Sequence, residues 1–230
     1  MSLHTHTFAT SNELVTVFSQ RIADTLKQAI SEKGQASLVV SGGSTPLPLF
    51  KALAAMPLEW SKVTITLADE RWVDSADSAS NEKLVRENLL TGHAASANFI
   101  PLKTHHSDAN EALEQLSATF TNLGLPFDIV ILGMGEDGHT ASLFPCSEQI
   151  EAGLDVNSPA MLIATQPTTA PHQRMSFTLR ALVSATHVFL HLTGDKKRAV
   201  LMDALENATD IEKPIKAVCD KSSVELMWAP

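Results

Sequence analysis

The segment Phe127–Leu132 reads FDIVIL. A run that short and that continuously apolar leaves no face for water, so it predicts a strand covered on both sides. Strands of this kind belong to parallel sheets flanked by helices. Ala36–Val40 (ASLVV) predicts a second buried strand, and Val63–Leu67 a third from its β-branched residues. The stretches between carry the helical period. Thr10 and Glu13 fit a capping box, whose side chains satisfy free backbone N–H groups at a helix start. Leu14, Phe18, Ile22 and Leu26 then recur every four residues as one apolar stripe, which Gly34 closes. Helices are also expected over Pro46–Met56, with prolines confined to the first turn, and over Asn81–Leu90, Asp108–Leu123 and Asp195–Glu206. Further strands are expected over Met161–Thr165, Met175–Leu179, His187–Leu192 and Val224–Trp228. Asp69–Ser80 and Gln166–Gln173 read as loops, and the N-terminus bearing His4 and His6 as unstructured. Alternating β and α units predict an α/β fold with an open, mainly parallel sheet and helices on both faces. With no linker and no internal repeat, residues 1–230 are expected to form one domain.

The formal charge is −9, and the densest basic spot is Lys196-Lys197-Arg198. Nucleic-acid binding needs many phosphate contacts, so no nucleic-acid partner is expected. A local cluster of arginines and amides still suits a small anion, because it outweighs the global field at short range. The cysteines, Cys146 and Cys219, form no CxxC pair, which disfavours a zinc ribbon and a disulfide framework. Two free thiols in a reducing compartment is the simple reading, one disulfide the other. Met1–Thr10 lacks the basic-then-apolar order of a signal peptide, and no apolar run nears the ~20 residues that span a bilayer. A cytoplasmic protein with no membrane partner is therefore expected.

In open α/β sheets, ligands sit beyond the carboxyl ends of the strands. The residues just past each strand are thus the informative ones. Ser41-Gly42-Gly43-Ser44-Thr45-Pro46 leads straight into a helix. Its glycines, hydroxyls and unpaired N–H groups suit a phosphate cradle, although a plain turn uses the same residues. The spacing is not that of a P-loop. Asp69-Glu70-Arg71-Trp72 comes after the third strand, as a polar site or simply a solvated charged loop. Gly133-Met134-Gly135-Glu136-Asp137-Gly138-His139 is the most specific cluster. Its glycines impose an unusual path that presents Asp137 and His139, and imidazole suits proton transfer near neutrality. The same residues match G-x-G-x-x-G. They fall late in the chain, however, and no strand ending in an acidic residue lies at the right distance beyond them, so a dinucleotide is not expected. Arg174 opens a strand, and Lys197 lies in the first turn of a helix, where a cation opposes the helix dipole. His187 and His191 share one side of a strand, but nothing in the sequence completes a metal set with them. HExxH and GxSxG do not occur.

The ordered set SGGSTP, ADERWV with Asn81 downstream, GMGEDGHTASLFP, Arg174 and GDKK closely resembles the 6-phosphogluconolactonase family, part of a larger group with the glucosamine-6-phosphate isomerases. The resemblance covers roughly residues 36–220. It implies a Rossmann-like domain without a nucleotide and hydrolysis of 6-phospho-D-glucono-1,5-lactone with no required cofactor. A lactone is already a reactive ester, so no metal is expected, and the protein is expected to be a monomer or small homo-oligomer. It implies His139 as the base that activates water; from the residues themselves, Asp137 or Asp69 is expected to orient its ring. Arg71 or backbone N–H groups would stabilise the oxyanion. Ser41, Gly42, Gly43, Ser44, Thr45, Arg174 and Lys197 would surround the phosphate or the sugar. The isomerase branch has a different continuation after DGH and lacks the DER arginine; here Thr140–Pro145 and Arg71 favour the lactonase branch. The alternatives kept beside it are an amino-sugar-phosphate isomerase and a non-catalytic sugar-phosphate binder.

Overall fold

The computed structural model describes residues 2–230. In chain order its elements are β1 (Leu3–Thr7), α1 (Ser11–Lys33), β2 (Ala36–Val40), α2 (Leu47–Ala54), β3 (Val63–Leu67), β4 (Asp69–Arg71), α3 (Asn81–Asn88), β5 (Asn98–Ile100), α4 (Leu113–Leu123), β6 (Ile129–Leu132), α5 (Ile150–Leu154), β7 (Leu162–Thr165), β8 (Arg174–Phe177), α6 (Leu179–Val183), β9 (His187–Thr193), α7 (Asp195–Asn207), α8 (Pro214–Lys221) and β10 (Val224–Ala229). Seven strands pair in parallel in the order β1-β10-β9-β6-β2-β3-β5. The mainly parallel α/β sheet expected from the sequence is therefore present. β9 shows why the sheet is covered on both sides. Phe189 and His191 point toward Phe18 of α1, while Val188, Leu190 and Leu192 on the opposite face are equally buried.

Local chemistry places the first helix as its sequence dictates. Thr10 accepts a hydrogen bond from the Glu13 N–H at 3.2 Å, and Glu13 reaches back to the N–H of Ala9 at 2.9 Å. A cap of this type contributes about 1 kcal/mol. Leu14, Phe18, Ile22 and Leu26 are all fully buried; each such side chain adds about 1.5–3 kcal/mol. The polar interruption in FDIVIL also has a cause. Asp128 accepts the Ser37 N–H at 2.8 Å and the Ser37 hydroxyl at 3.1 Å, and pairs with Lys33. It ties the entrances of β2 and β6 to the end of α1.

The structure departs from expectation in several places. Leu3–Thr7 is an edge strand paired with β10, and His6 bonds Glu225 at 3.0 Å, so this terminus is ordered. Its alternating polar residues suit a strand with one neighbour, but the segment is too short and polar to announce itself. The segment 69–80 is not all loop, because Asp69–Arg71 forms β4. The backbone leaves the large sheet at Ala68 and enters a three-stranded antiparallel sheet, β4-β8-β7. The strand expected over Met175–Leu179 runs instead from Arg174 to Phe177, and Leu179 begins α6. The helix expected from Asp108 starts as a 3-10 turn at Asn110 and becomes α-helical at Leu113. β5, α5, α6 and α8, each of eight residues or fewer, carry too few periods to be read from sequence. Among the described residues no helix is long and apolar enough to cross a membrane. Cys146 and Cys219 are free thiols.

The chain runs outward from β2 through β3 to β5, then returns to the other side of β2 as β6. The strand order reverses between β2 and β6. That reversal opens a crevice at their carboxyl ends, the position where such sheets hold ligands.

Candidate active site

A cleft of about 300 Å³ lies at this point. Its wall carries Ser41, Gly42, Gly43, Ser44 and Thr45 after β2, Asp69 and Arg71 of β4, His139, Arg174 of β8, and Lys197 of α7. Residues spread over more than 150 positions thus converge as expected, with one exception. Asp137 is off this wall and stands behind His139.

The β6–α5 connection builds the Asp137–His139 pair. Gly138 N–H donates to the Gly135 carbonyl at 3.0 Å, Gly135 N–H to the His139 carbonyl at 2.9 Å, and the Thr140 hydroxyl to the Gly133 carbonyl at 2.8 Å. This tight loop sets the His139 ring against Phe144, with ring centroids 4.0 Å apart and planes 22° from parallel. His139 Nδ1 lies 2.5 Å from Asp137 Oδ1, and the His139 N–H bonds the same oxygen at 3.1 Å. Burial alone pushes the Asp137 carboxyl up. The hydrogen bond and charge of the His139 ring, with its backbone N–H, outweigh burial and hold it below the usual carboxylate range. An ionised Asp137 accepts, so Nδ1 is the donating nitrogen of the ring, and in the neutral form of the ring the lone pair then lies on Nε2. Asp69 has a different partner: it accepts the Ser142 hydroxyl at 2.5 Å. Of the two carboxylates considered from sequence, Asp137 is therefore the one on the ring.

The small sheet supplies the cations. In the antiparallel register Arg71 lies directly opposite Arg174, and Asp69 opposite Ser176. Opposed residues share a face, so two guanidinium groups sit side by side, an arrangement that repels. Neither forms an ion pair among the described residues, and the buried Nε of each lacks a hydrogen-bond partner. Arg71 Nη1 donates to the Ala79 carbonyl at 2.6 Å, and Arg174 Nη2 to the Pro171 carbonyl at 3.1 Å. Burial, chiefly, weakens the hold of Arg174 on its proton. Nearby Asp69 opposes that shift and the Arg71 charge adds to it. Arg174 also lies over the Phe144 ring, 5.5 Å from its centroid, so one aromatic ring touches both His139 and a cleft arginine. Glu70 points the other way. It accepts N–H groups of Arg71, Asn81 and Glu82 at 2.7–2.8 Å, anchoring β4 to the start of α3.

The opposite wall is the loop after β2. Among the described residues, the N–H groups of Gly43, Ser44 and Thr45 make no hydrogen bond, and they precede α2. Ser41 Oγ donates to the Ile131 carbonyl at 3.0 Å, tying this loop to β6. A Cβ on Gly42 would fall 1.9 Å from Asn81 Oδ1, so the loop lies directly on the Asn81 side chain. Asn81 Nδ2 in turn bonds the Asp69 carbonyl at 2.9 Å. Lys196, next to cleft-facing Lys197, turns outward to Glu136 at 2.6 Å.

Sequence reading missed three features here. His191 lines the cleft rather than serving only as core. A polar residue at the carboxyl end of the apolar strand VFLHLT was the available signal. Phe144 acts as a shared platform, which no local pattern announces. Ala141, on the cleft wall, has φ +48°; left-handed backbone costs an alanine about 1–2 kcal/mol, and such strain concentrates at functional sites.

The arrangement offers one polarised imidazole with a free nitrogen facing an anion-seeking surface. Residues 9–228 match the family model described as glucosamine-6-phosphate isomerases/6-phosphogluconolactonase. A 6-phosphogluconolactonase of Rhizobium meliloti is 40% identical over 232 residues, covering 100% of both chains. The crystal structure of a 6-phosphogluconolactonase from Shewanella baltica superposes with a TM-score of 0.96 at 43% identity, covering 100% of this chain and 98% of the other. A 6-phosphogluconolactonase from Thermotoga maritima, 24% identical with full coverage of both chains and a TM-score of 0.82, shares the fold.

Proposed function

The chain belongs to the glucosamine-6-phosphate isomerase/6-phosphogluconolactonase family, and from that premise we propose that it is a lactone hydrolase that opens 6-phospho-D-glucono-1,5-lactone to 6-phospho-D-gluconate. The observation that carries the reading is the Asp137–His139 pair, with Nδ1 engaged and the His139 ring in the same cleft as two arginines that form no ion pair among the described residues. A base alone would suit many substrates. A base beside a cationic pocket suits an ester that carries an anion.

In the proposed reaction, His139 Nε2 takes a proton from water as the oxygen attacks the lactone carbonyl. The tetrahedral oxyanion forms facing Arg71 or a cleft N–H group. It collapses by breaking the bond to the ring oxygen, which recovers the proton from His139. Asp137 keeps the ring in the required tautomer and stabilises the imidazolium while it exists. A positioned base contributes about 10²–10⁴-fold, and a preorganised oxyanion donor a comparable factor. The phosphoryl group is held at a distance by the Ser41–Thr45 loop with Arg174 and Lys197, so its binding energy fixes the carbonyl against His139. The lactone is already reactive, and each step is served by a residue of this chain.

The test is hydrolysis of freshly generated 6-phosphogluconolactone, corrected for spontaneous opening. His139→Ala is expected to lower kcat by about 10²–10⁴-fold with an unchanged melting temperature. Arg174→Ala and Lys197→Ala are expected to act mainly on KM. Wild-type turnover in His139→Ala would remove it as the base. Release of ammonia from glucosamine 6-phosphate would move the assignment to the isomerase branch, and ligand-induced stabilisation without turnover would make the protein a binder.

A further inference from the structure

His191 sits at the carboxyl end of β9, only 4% exposed, and yet lines the cleft. Its neighbours on the inner side are aromatic: Phe18 meets its ring edge-on at 5.5 Å, and Phe189 lies two residues back on the same face. Packing alone would be served by an apolar side chain here. The imidazole instead brings two nitrogens, and neither has a hydrogen-bond partner among the described residues; Nδ1 is fully sealed. Nε2, equally without a partner, is not sealed, so the cleft that the residue lines is the direction from which a hydrogen-bond partner reaches the ring. Burial first, and the Lys197 charge second, lower the ring pKa to about 4, so the ring is neutral near pH 7 and is able to accept or donate one hydrogen bond. His191 and Lys197 therefore share one corner of the cleft, on the strand and the helix that bracket Gly194.

We infer that His191 is a substrate-contacting residue: from beside Lys197 its ring hydrogen-bonds the phosphoryl end of the bound lactone and helps select phosphorylated over unphosphorylated substrate. The inference rests on the lactone-hydrolase reading above and adds a specificity residue to it. A neutral ring adds a directional hydrogen bond where Lys197 supplies only charge. It also leaves the site able to release a product that keeps the same phosphoryl group.

The experiment compares His191→Phe and His191→Gln with wild type on 6-phosphogluconolactone and on unphosphorylated gluconolactone. In parallel, the His191 ring nitrogen resonances are followed while inorganic phosphate, then 6-phosphogluconate, is titrated into wild type. Loss of one hydrogen bond to a charged group predicts a KM about tenfold higher in His191→Phe for the phosphorylated substrate. Its kcat should stay within about twofold, its KM for gluconolactone should not move, and His191→Gln, which keeps a donor, should recover most of the loss. The ring resonances should shift with both ligands. Unmoved resonances, with wild-type KM in both variants, overturn the inference. If His191→Phe fails to fold, His191→Gln and the resonances decide. A wild-type protein that hydrolyses no lactone sinks the functional reading instead, while the phosphate titration still tests whether His191 meets the anion.

Discussion

A Cβ placed on Gly135 would lie 2.3 Å from His139 Nδ1 and 2.6 Å from Asp137 Oδ1. The position therefore has room for hydrogen alone, because the loop folds its own backbone against the ring it presents. Gly135→Ala is expected to displace the pair and to lower kcat far more than it lowers the melting temperature, which steady-state kinetics and thermal unfolding together will read. Asp137→Asn removes the charge that stabilises the imidazolium and lets an amide N–H face Nδ1, which favours the unproductive tautomer. A kcat loss of about 10²–10⁴-fold at unchanged fold is expected. His191 also gives a prediction in pH. Unfolded, its ring takes a proton near 6.5; folded, only near 4. Between those values the unfolded chain holds more protons, so acidification from pH 6.5 toward 4 removes stability, on the order of 3 kcal/mol in all. His191→Phe should flatten that limb of the stability curve in urea titrations. The two thiols should also differ. Burial pushes Cys219 up to about 12, whereas at Cys146 the pull of burial is overcome by hydrogen bonds from Thr168 and Thr169, giving about 7. Iodoacetamide near neutral pH is expected to label Cys146 and to spare Cys219 until the chain unfolds.

Among the elements, β4 matters more to the site than its length suggests. Ala68 passes the chain from the large sheet to the small one: its N–H bonds the Val40 carbonyl at 2.8 Å, and its carbonyl accepts from Phe177 at 3.0 Å. Asp69 and Arg71 then face the cleft, while Glu70 between them turns to the start of α3. Strand alternation thus separates a functional pair from a structural anchor within three residues. The α1–β2–β6 junction rests on Asp128. Asp128→Ala strips the Ser37 N–H of its partner and is expected to cost about 1–3 kcal/mol. A lower urea midpoint with kcat retained would match its distance from the cleft.

Across the whole fold, a chain of net charge −9 concentrates at one crevice Arg71, Arg174 and Lys197, which form no ion pairs among the described residues. Product carrying a phosphoryl group should therefore stabilise the fold. At a hundred times its Kd, 6-phosphogluconate is expected to add about 2.7 kcal/mol, which raises the melting temperature by about 5–10 °C for a domain of this size. Gluconate should add far less, and Arg174→Ala should abolish most of the difference. Local order along the chain is enough to place strands β2 and β3 to the residue, the cap and stripe of α1, and the strand-end clusters from Ser41 to Lys197. These come from local periods and from backbone chemistry that neighbouring residues impose. The folded chain was needed to show that Asp137 and not Asp69 holds the His139 ring, that Arg71 lies opposite Arg174 on neighbouring strands of a second sheet, and that His191 reaches the cleft. Those facts depend on which strands lie side by side and on which way each alternating side chain turns, and that is set by packing between segments distant in the chain.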